Sequence, residues 1–199
     1  MMFTPKELAY IQNTDFLLTK ASVSQKVRTL LNQTHDKLQQ YITSEQLVFP
    51  EGVQARAGKI ARGENYRKLP YSILDYPRKF TRGDVFALRT MFWWGHFFSV
   101  TFQLGGASWQ RYQSAVIRHA GELPRLSASL CTSDDPWQHH RDRPYYQPVD
   151  EMEPDYLRQQ LKQQPFLKIA IFLPLSEWTQ LPDRALAFFQ SMVRLIELS

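Results

Sequence analysis

Two adjacent histidines and three carboxylates lie within one short polar stretch of the chain, residues 134–143. Imidazole and carboxylate groups are ligand types for zinc, iron and manganese, and they also act as general acids and bases. Adjacent histidines diverge, since consecutive side chains of a strand point to opposite faces and those of a helix differ by about 100°. One site therefore takes only one of them readily, and a further partner must come from elsewhere. This hypothesis, a metal-dependent or acid/base enzyme, uses Asp135, His139, His140 and His96.

The better-marked enzyme motifs are missing from the sequence. Residues 58–65 have the glycine spacing of a phosphate-binding loop, but Glu64 and Asn65 stand where that motif needs Lys and Ser or Thr. There is no Gly-x-Ser-x-Gly elbow and no Gly-x-Gly-x-x-Gly. Cys131 is the only cysteine, which excludes an internal disulfide and a thiolate cluster. The sequence identifies no cofactor and leaves open whether the protein is an enzyme.

Positive charge is concentrated between residues 51 and 82. This stretch has eight lysines and arginines against three acidic residues, an excess of five that equals the formal net charge of +5. Such an excess suits an anionic partner, such as phosphate, nucleic acid or an acidic protein surface. Charges on strand edges also block unwanted strand pairing. One hypothesis is nucleic-acid binding through residues 56–82, which predicts salt-sensitive retention on heparin.

A second group of side chains suits an anionic ligand more specifically. Residues 62–67 place arginines, an amide and a tyrosine around a flexible glycine, and these groups bind phosphate or carboxylate. A surface turn accounts for them equally well. The main hypothesis is a binding or accessory module for an anionic small molecule or a protein partner. Its predicted surface combines this segment with one face of a β-hairpin: Arg62, Asn65, Tyr66, Arg67, Arg89, Met91 and Trp93.

The hairpin that carries part of this surface is predicted at residues 85–104. A two-residue turn mixes apolar and polar side chains on both faces. A three-residue loop instead pairs Phe92 with Phe98 and Leu88 with Phe102, which gives one apolar face. The opposite face of the hairpin has too many aromatic side chains near the turn to be an ordinary solvent-exposed surface. We expect a helix or loop to cover it, or a pocket or partner site to form there.

The other predicted elements lie on both sides of this hairpin. A capping box at residues 4–7 starts the first helix. Prolines flank the strand at 71–76 and predict an edge position, because proline cannot donate a ladder hydrogen bond. The strand at 166–173 alternates apolar residues with Lys168 and Ala170. Further predictions are a short strand at 59–62, helices at 4–12, 22–42, 107–122, 154–163 and 182–198, and long loops at 43–69 and 123–150. Helix is also allowed at residues 15–21, which leaves the start of the second helix open.

The order of these elements predicts the fold class. Helices (4–42) precede the strands (59–104), and then come a helix (107–122), the long loop (123–150) and a helix–strand–helix unit (154–198). This order favours one α+β domain over residues 1–199, with a mainly antiparallel sheet of about four to six strands and helices packed against it.

Composition adds a prediction about location. The chain has 199 residues, 43% of them apolar and 14% aromatic, which is enough for one hydrophobic core. No apolar run reaches the roughly 20 residues of a membrane helix, and no export signal is recognisable. We expect a cytoplasmic protein without a membrane segment. The sequence does not predict its oligomeric state.

Overall fold

One open antiparallel sheet organises residues 2–198, the part of the chain that the computed structural model describes. Its spatial order is β1-β2-β3-β4-β7-β5-β6, and every neighbouring pair is antiparallel. The α+β prediction is confirmed, with one strand more than the expected maximum of six. The strands are β1 (Lys59–Tyr66), β2 (Leu69–Thr81), β3 (Asp84–Trp93), β4 (Phe97–Gly105), β5 (Ser129–Cys131), β6 (Tyr146–Pro148) and β7 (Phe166–Pro174).

The α-helices of the described residues pack against one face of this sheet, apart from the N-terminal one. They are α1 (Pro5–Gln12), α2 (Thr14–Ser44), α3 (Gly106–Arg118), α4 (Pro154–Gln163) and α5 (Leu181–Leu195). Short 3₁₀ segments follow α3, β6 and β7, at Ala120–Leu126, Val149–Glu151 and Leu175–Gln180. Between residues 2 and 198, no helix combines the length and the apolar character that a bilayer crossing requires.

The register predicted for the β3–β4 hairpin is confirmed. Phe92 pairs with Phe98 and Leu88 with Phe102, so their side chains share one face. That face meets α2, α3 and α5 in the main hydrophobic core. Both faces of β4 are covered, since all nine of its residues are buried. Burial of each large apolar side chain stabilises the fold by roughly 1.5–3 kcal/mol.

The start of the chain follows the predicted capping box. The Thr4 hydroxyl accepts a hydrogen bond from the Glu7 backbone N–H (3.3 Å), and the Glu7 carboxylate accepts one from the Thr4 backbone N–H (2.7 Å). Asn13 then ends α1 and caps α2, its side chain accepting from the Phe16 N–H at 2.9 Å. Helix α2 therefore begins at Thr14, so the residues 15–21 that the sequence left open are helical.

The predicted edge position of residues 71–76 is wrong. Strand β2 lies between β1 and β3. The pairing with β3 shifts register between Asp75 and Arg78, and Pro77 lies in that irregularity, where no ladder donor is needed. Pro70 is near the start of the strand, and its carbonyl accepts from the Trp94 N–H at 3.2 Å. An interior strand thus accommodates both prolines.

The two predicted loops contain more regular structure than expected. Strand β1 extends to Tyr66 rather than residue 62, so only residues 45–58 connect α2 to the sheet. Residues 123–150 include β5 and β6, which pair with each other, and β5 also pairs with β7. Short strands of three residues carry too little periodicity to be identified by pattern alone.

Candidate functional site

A row of paired residues crosses the sheet on the face opposite the helices. Asp75 pairs with Arg89, Arg89 with Thr101, and Thr101 with Ala170, so the four side chains lie on the same face. Lys168 lies two positions before Ala170 on β7, so its side chain lies on this face as well. The face of the sheet that carries Asp75, Arg89, Thr101, Lys168 and Ala170 is called the polar face below. The loop between β5 and β6, residues 132–145, covers it.

Arg89 and Asp75 form a buried ion pair on the polar face. Two guanidinium nitrogens donate to the two carboxylate oxygens, at 2.7 and 3.0 Å. A third guanidinium nitrogen, Nη1, lies 3.2 Å from Nε2 of His139 in the β5–β6 loop. A guanidinium only donates, so Nε2 accepts and the imidazole is neutral. Burial, reinforced by Lys168 and Arg89, holds the pKa of His139 well below its ordinary value, which agrees with this assignment.

Lys168 anchors the same loop from the neighbouring strand. Its side chain is fully buried, and Nζ donates to the backbone carbonyls of Pro136 (2.7 Å) and Gln138. Burial lowers the pKa of Lys168 to about 7. A neutral amine has two N–H donors, enough for the two carbonyls, and residues 2–198 show no third acceptor for an ammonium. The lysine therefore loses its proton near pH 7 without losing either hydrogen bond to the loop.

Tyr66, the last residue of β1, fixes the loop from the other side. Its hydroxyl oxygen accepts from the His139 backbone N–H at 2.8 Å. The hydroxyl proton is then free to donate to Nδ1 of His140, 3.0 Å away. Burial raises the pKa of Tyr66 and lowers that of His140, so both groups are neutral in this arrangement. The end of the predicted first loop and the predicted second loop thus meet at Tyr66.

The polar face brings together residues of two of the three sequence-based hypotheses, the metal or acid/base site and the anion-binding surface. Met91 and Trp93 pack with Tyr66 in a small apolar cluster beside the ion pair. The Tyr66 and Trp93 ring centroids are 5.1 Å apart. The expectation that this face of the hairpin is covered is met by the β5–β6 loop. The members that converge here are Tyr66, Arg89, Met91, Trp93, His139 and His140.

The proposed metal ligands are not assembled into one group. His96 lies at the β3–β4 turn and stacks on Trp93, with ring centroids 3.6 Å apart. The Asp135 carboxylate accepts from the backbone N–H of Trp137 (2.9 Å) and the side-chain amide of Gln138 (2.8 Å). Across residues 2–198 no three His, Cys, Asp or Glu side chains are placed to hold a metal ion together. Asp135 shapes the loop instead.

Arg62 lies on the opposite side of the sheet from Arg89. It pairs with Ser72, which is three positions from Asp75 along β2, and residues an odd number apart on a strand face opposite ways. The predicted anion-binding surface is therefore divided between the two faces of the sheet. Arg67 lies at the β1–β2 turn, with Nη1 3.9 Å from an Asp142 carboxylate oxygen, and the neighbouring Asn65 is exposed.

A groove of about 490 Å³ lies between α2 and β1, where Arg62 projects. Lys20 and Arg28 of α2 line the same groove. Its one ion pair within residues 2–198 joins Lys20 and Glu64 at 3.8 Å, and both arginines are without a carboxylate partner there. We call this the basic groove. Its polar lining is completed by Ser24, Gln25 and Ser72.

The remaining charges of residues 56–82 do not form one continuous surface. Lys79 pairs with Asp84 at 2.7 Å, at the far end of β2. Arg82 is exposed at the β2–β3 turn, whereas Arg62 lies in the basic groove and Arg67 beside the β5–β6 loop. The basic stretch of the sequence is thus spread over both faces of the sheet and its turns.

The sequence-based hypotheses missed several groups that build these sites. Lys20 and Arg28 were not identified because only the fold brings α2 beside β1. Asp75 is one of the three acidic residues of the basic stretch, and only the pairing of β2 with β3 makes it the partner of Arg89. Lys168 had one recognisable signal, since its neighbours at alternate positions, Phe166 and Ala170, are apolar and predict a strand buried on both faces.

Comparison of this chain with family models, with curated proteins and with solved structures found no significant match.

Proposed function

We propose that this protein binds an anionic small molecule in the basic groove. The observation that carries the proposal is the convergence of Arg28 and Arg62, from two different elements, on one groove. In the part of the chain that the structure describes, neither arginine pairs with a carboxylate. Guanidinium groups bind phosphate and carboxylate through paired hydrogen bonds, so two that face one space form a receptor for such a group.

The charge of the groove favours a ligand with more than one negative charge. Lys20, Arg28 and Arg62 contribute three positive charges and Glu64 one negative charge, which leaves two. Gln25 and Ser72 add an amide and a hydroxyl to the lining. A phosphate ester or a dicarboxylate matches this set, with the anion at the arginines and neutral polar groups at the amide and hydroxyl.

The size of the groove favours a small molecule over a polymer. About 490 Å³ falls within the roughly 300–1,000 Å³ of small-molecule sites. A nucleic acid needs cations along an extended track. The cations of residues 56–82 instead lie on both faces of the sheet, so the charge distribution supports the compact ligand.

The polar face is a weaker candidate for an anion site. Arg89 is already neutralised by Asp75, and Lys168 donates to two loop carbonyls. An anion there would have to displace these partners and lift the β5–β6 loop. The groups of the polar face are instead suited to holding the loop on the sheet.

Titration calorimetry with inorganic pyrophosphate tests the proposal. The groove variant R28A/R62A is compared with R125A/R184A, which removes the same charge from two exposed arginines outside the groove. We expect the groove variant to bind pyrophosphate at least tenfold more weakly than the unmodified protein, and the control variant to change affinity less than twofold. Equal losses in the two variants, or no binding by the unmodified protein, would refute the proposal.

A heparin column separates this proposal from nucleic-acid binding. A compact groove with a net charge of two predicts elution at low salt, with little difference between the two double variants. Strong retention that decreases steeply with salt, and that R28A/R62A does not specifically reduce, would favour the polymer instead.

A further inference from the structure

A second cavity, of about 680 Å³, lies on the other side of α2, at the end of the β3–β4 hairpin. Its lining is mainly aromatic and aliphatic, unlike that of the basic groove. The hairpin contributes Phe92, Trp94 and Phe98, α2 contributes Val27, and the 3₁₀ segment after β7 contributes Trp178. Three separate elements thus form one concave apolar surface.

The two tryptophans belong to the accessible part of this cavity. Trp178 is 54% exposed, whereas Phe92 and Phe98 are buried at 5% and 3%. Trp94 packs edge-on against Phe92, with ring centroids 5.3 Å apart, which fixes its position. An exposed tryptophan beside a concave apolar surface is characteristic of a binding site, because soluble proteins seldom leave such surfaces uncovered.

The charge around the cavity restricts the chemistry of its occupant. Lys26 is the one charged residue of the lining, and it forms no ion pair within residues 2–198. Gln25, Thr29 and Gln33 of the same helix supply neutral polar groups. An apolar cavity with one cation matches a molecule that has an apolar body and one anionic group.

We propose that this cavity binds an amphipathic carboxylate, with its apolar part between Trp94 and Trp178 and its carboxylate at Lys26. The cavity lies on the other side of α2 from the basic groove, and Gln25 borders both. Lys26 and the two tryptophans do not line the groove, so either proposal can fail while the other holds.

Calorimetry with decanoate, kept below its micelle concentration, and with 1-decanol tests this site. Decanoate is expected to bind with a stoichiometry of one and at least tenfold more tightly than decanol. K26M should reduce the affinity for decanoate to that for decanol and leave decanol unchanged, whereas the control K162M, at an exposed lysine of α4, should change neither. Equal binding of the two probes would overturn the assignment of Lys26, and absence of binding would overturn the site.

A tryptophan pair provides the matched control for the apolar part. Trp178 and Trp137 are similarly exposed, at 54% and 48%, but Trp137 lies in the β5–β6 loop on the other face of the sheet. We expect W178A to weaken decanoate and decanol at least tenfold and W137A to weaken neither, with circular dichroism showing both variants folded. Equal effects of the two variants, or a dimer that W178A abolishes and decanoate does not compete with, would overturn the proposal.

Discussion

The most unusual single residue is Lys168, a buried lysine that forms no ion pair with a carboxylate among residues 2–198. Its two hydrogen bonds run to the carbonyls of Pro136 and Gln138, which cannot neutralise an ammonium. Burial is the main cause of its lowered pKa, and the cation of Arg89 adds to it. Folding, which buries Lys168 beneath the β5–β6 loop, thus favours loss of its proton.

This link predicts a pH dependence of stability. The folded-state pKa is about 7 and the unfolded-state value about 10.5. Between these values the unfolded chain holds the proton and the folded chain does not, so stability rises with pH, by up to about 1.4 kcal/mol per unit. Below pH 7 both states are protonated and the contribution is constant. Urea unfolding of the unmodified protein and of K168M at pH 7.5 to 9.5 should show this rise only in the former.

The comparison with K168M isolates the lysine. Cys131 and the buried tyrosines also titrate at alkaline pH, but they are present in both proteins and cancel in the difference. K162M, at an exposed lysine, should behave like the unmodified protein. A difference between the unmodified protein and K168M that stays constant with pH would show that Lys168 keeps its proton in the folded state.

Only part of the candidate sites could be predicted from the sequence. The parity of the β3–β4 hairpin placed Arg89, Met91 and Trp93 on one face correctly, because alternation is a local property of a strand. Their partners could not be predicted, since Asp75 and Lys168 come from other strands and the order of strands is a property of the whole chain. The grouping of Arg62 with Arg89 failed for the same reason.

Among the elements, α2 is divided into two physically different parts. Its buried residues begin at Val27, whereas the first half exposes large apolar side chains such as Leu17 and Leu18. Helix α1 has no buried residue. The second half of α2 packs on β2 and α5 and holds the helix on the sheet. Packing therefore anchors α2 from about Val23 to its end and leaves the preceding residues on the surface.

Two leucines of α2 test this division. Leu31 is fully buried and Leu18 is 63% exposed. L31A should lower the free energy of unfolding by about 2–5 kcal/mol, because it removes buried methyl groups and leaves a cavity. L18A should change it by no more than about 0.5 kcal/mol. Urea denaturation measures both, and similar losses in the two variants would mean that the first half of α2 is packed in solution.

Element boundaries were predicted best where a pattern is long and local. The bounds of α1 and α4 agree with the predicted 4–12 and 154–163 within a residue, because caps and prolines mark their ends. The prediction that β2 is an edge strand was wrong. The register shift between Asp75 and Arg78 leaves Pro77 at a position where no ladder hydrogen bond is required. A bulge depends on the neighbouring strand and leaves no mark in the strand's own sequence.

At the scale of the molecule, the sheet is covered by two different kinds of structure. Helices α2, α3, α4 and α5 form one layer over the apolar face, joined in one continuous core. The β5–β6 loop covers the polar face through a few hydrogen bonds and the small cluster around Trp93. The central strand β4 belongs to both layers.

This shared strand predicts one cooperative unfolding transition. Tryptophan fluorescence reports on both layers, since Trp109 lies in the main core and Trp93 in the small cluster. Far-UV circular dichroism reports chiefly on the helices. We expect the two urea curves to coincide, as in two-state unfolding. Different urea midpoints for the fluorescence and circular dichroism curves would mean that the two layers unfold independently.

The buried cysteine acquires a practical meaning from its position. Cys131 is the chain's only thiol, and it is inaccessible, packed with Tyr146 and Phe166 at the base of the β5–β6 loop. A thiol reagent can reach it only after that packing separates. The rate at which such a reagent labels Cys131 therefore reports how often the β5–β6 loop separates from the sheet, and no engineered cysteine is needed.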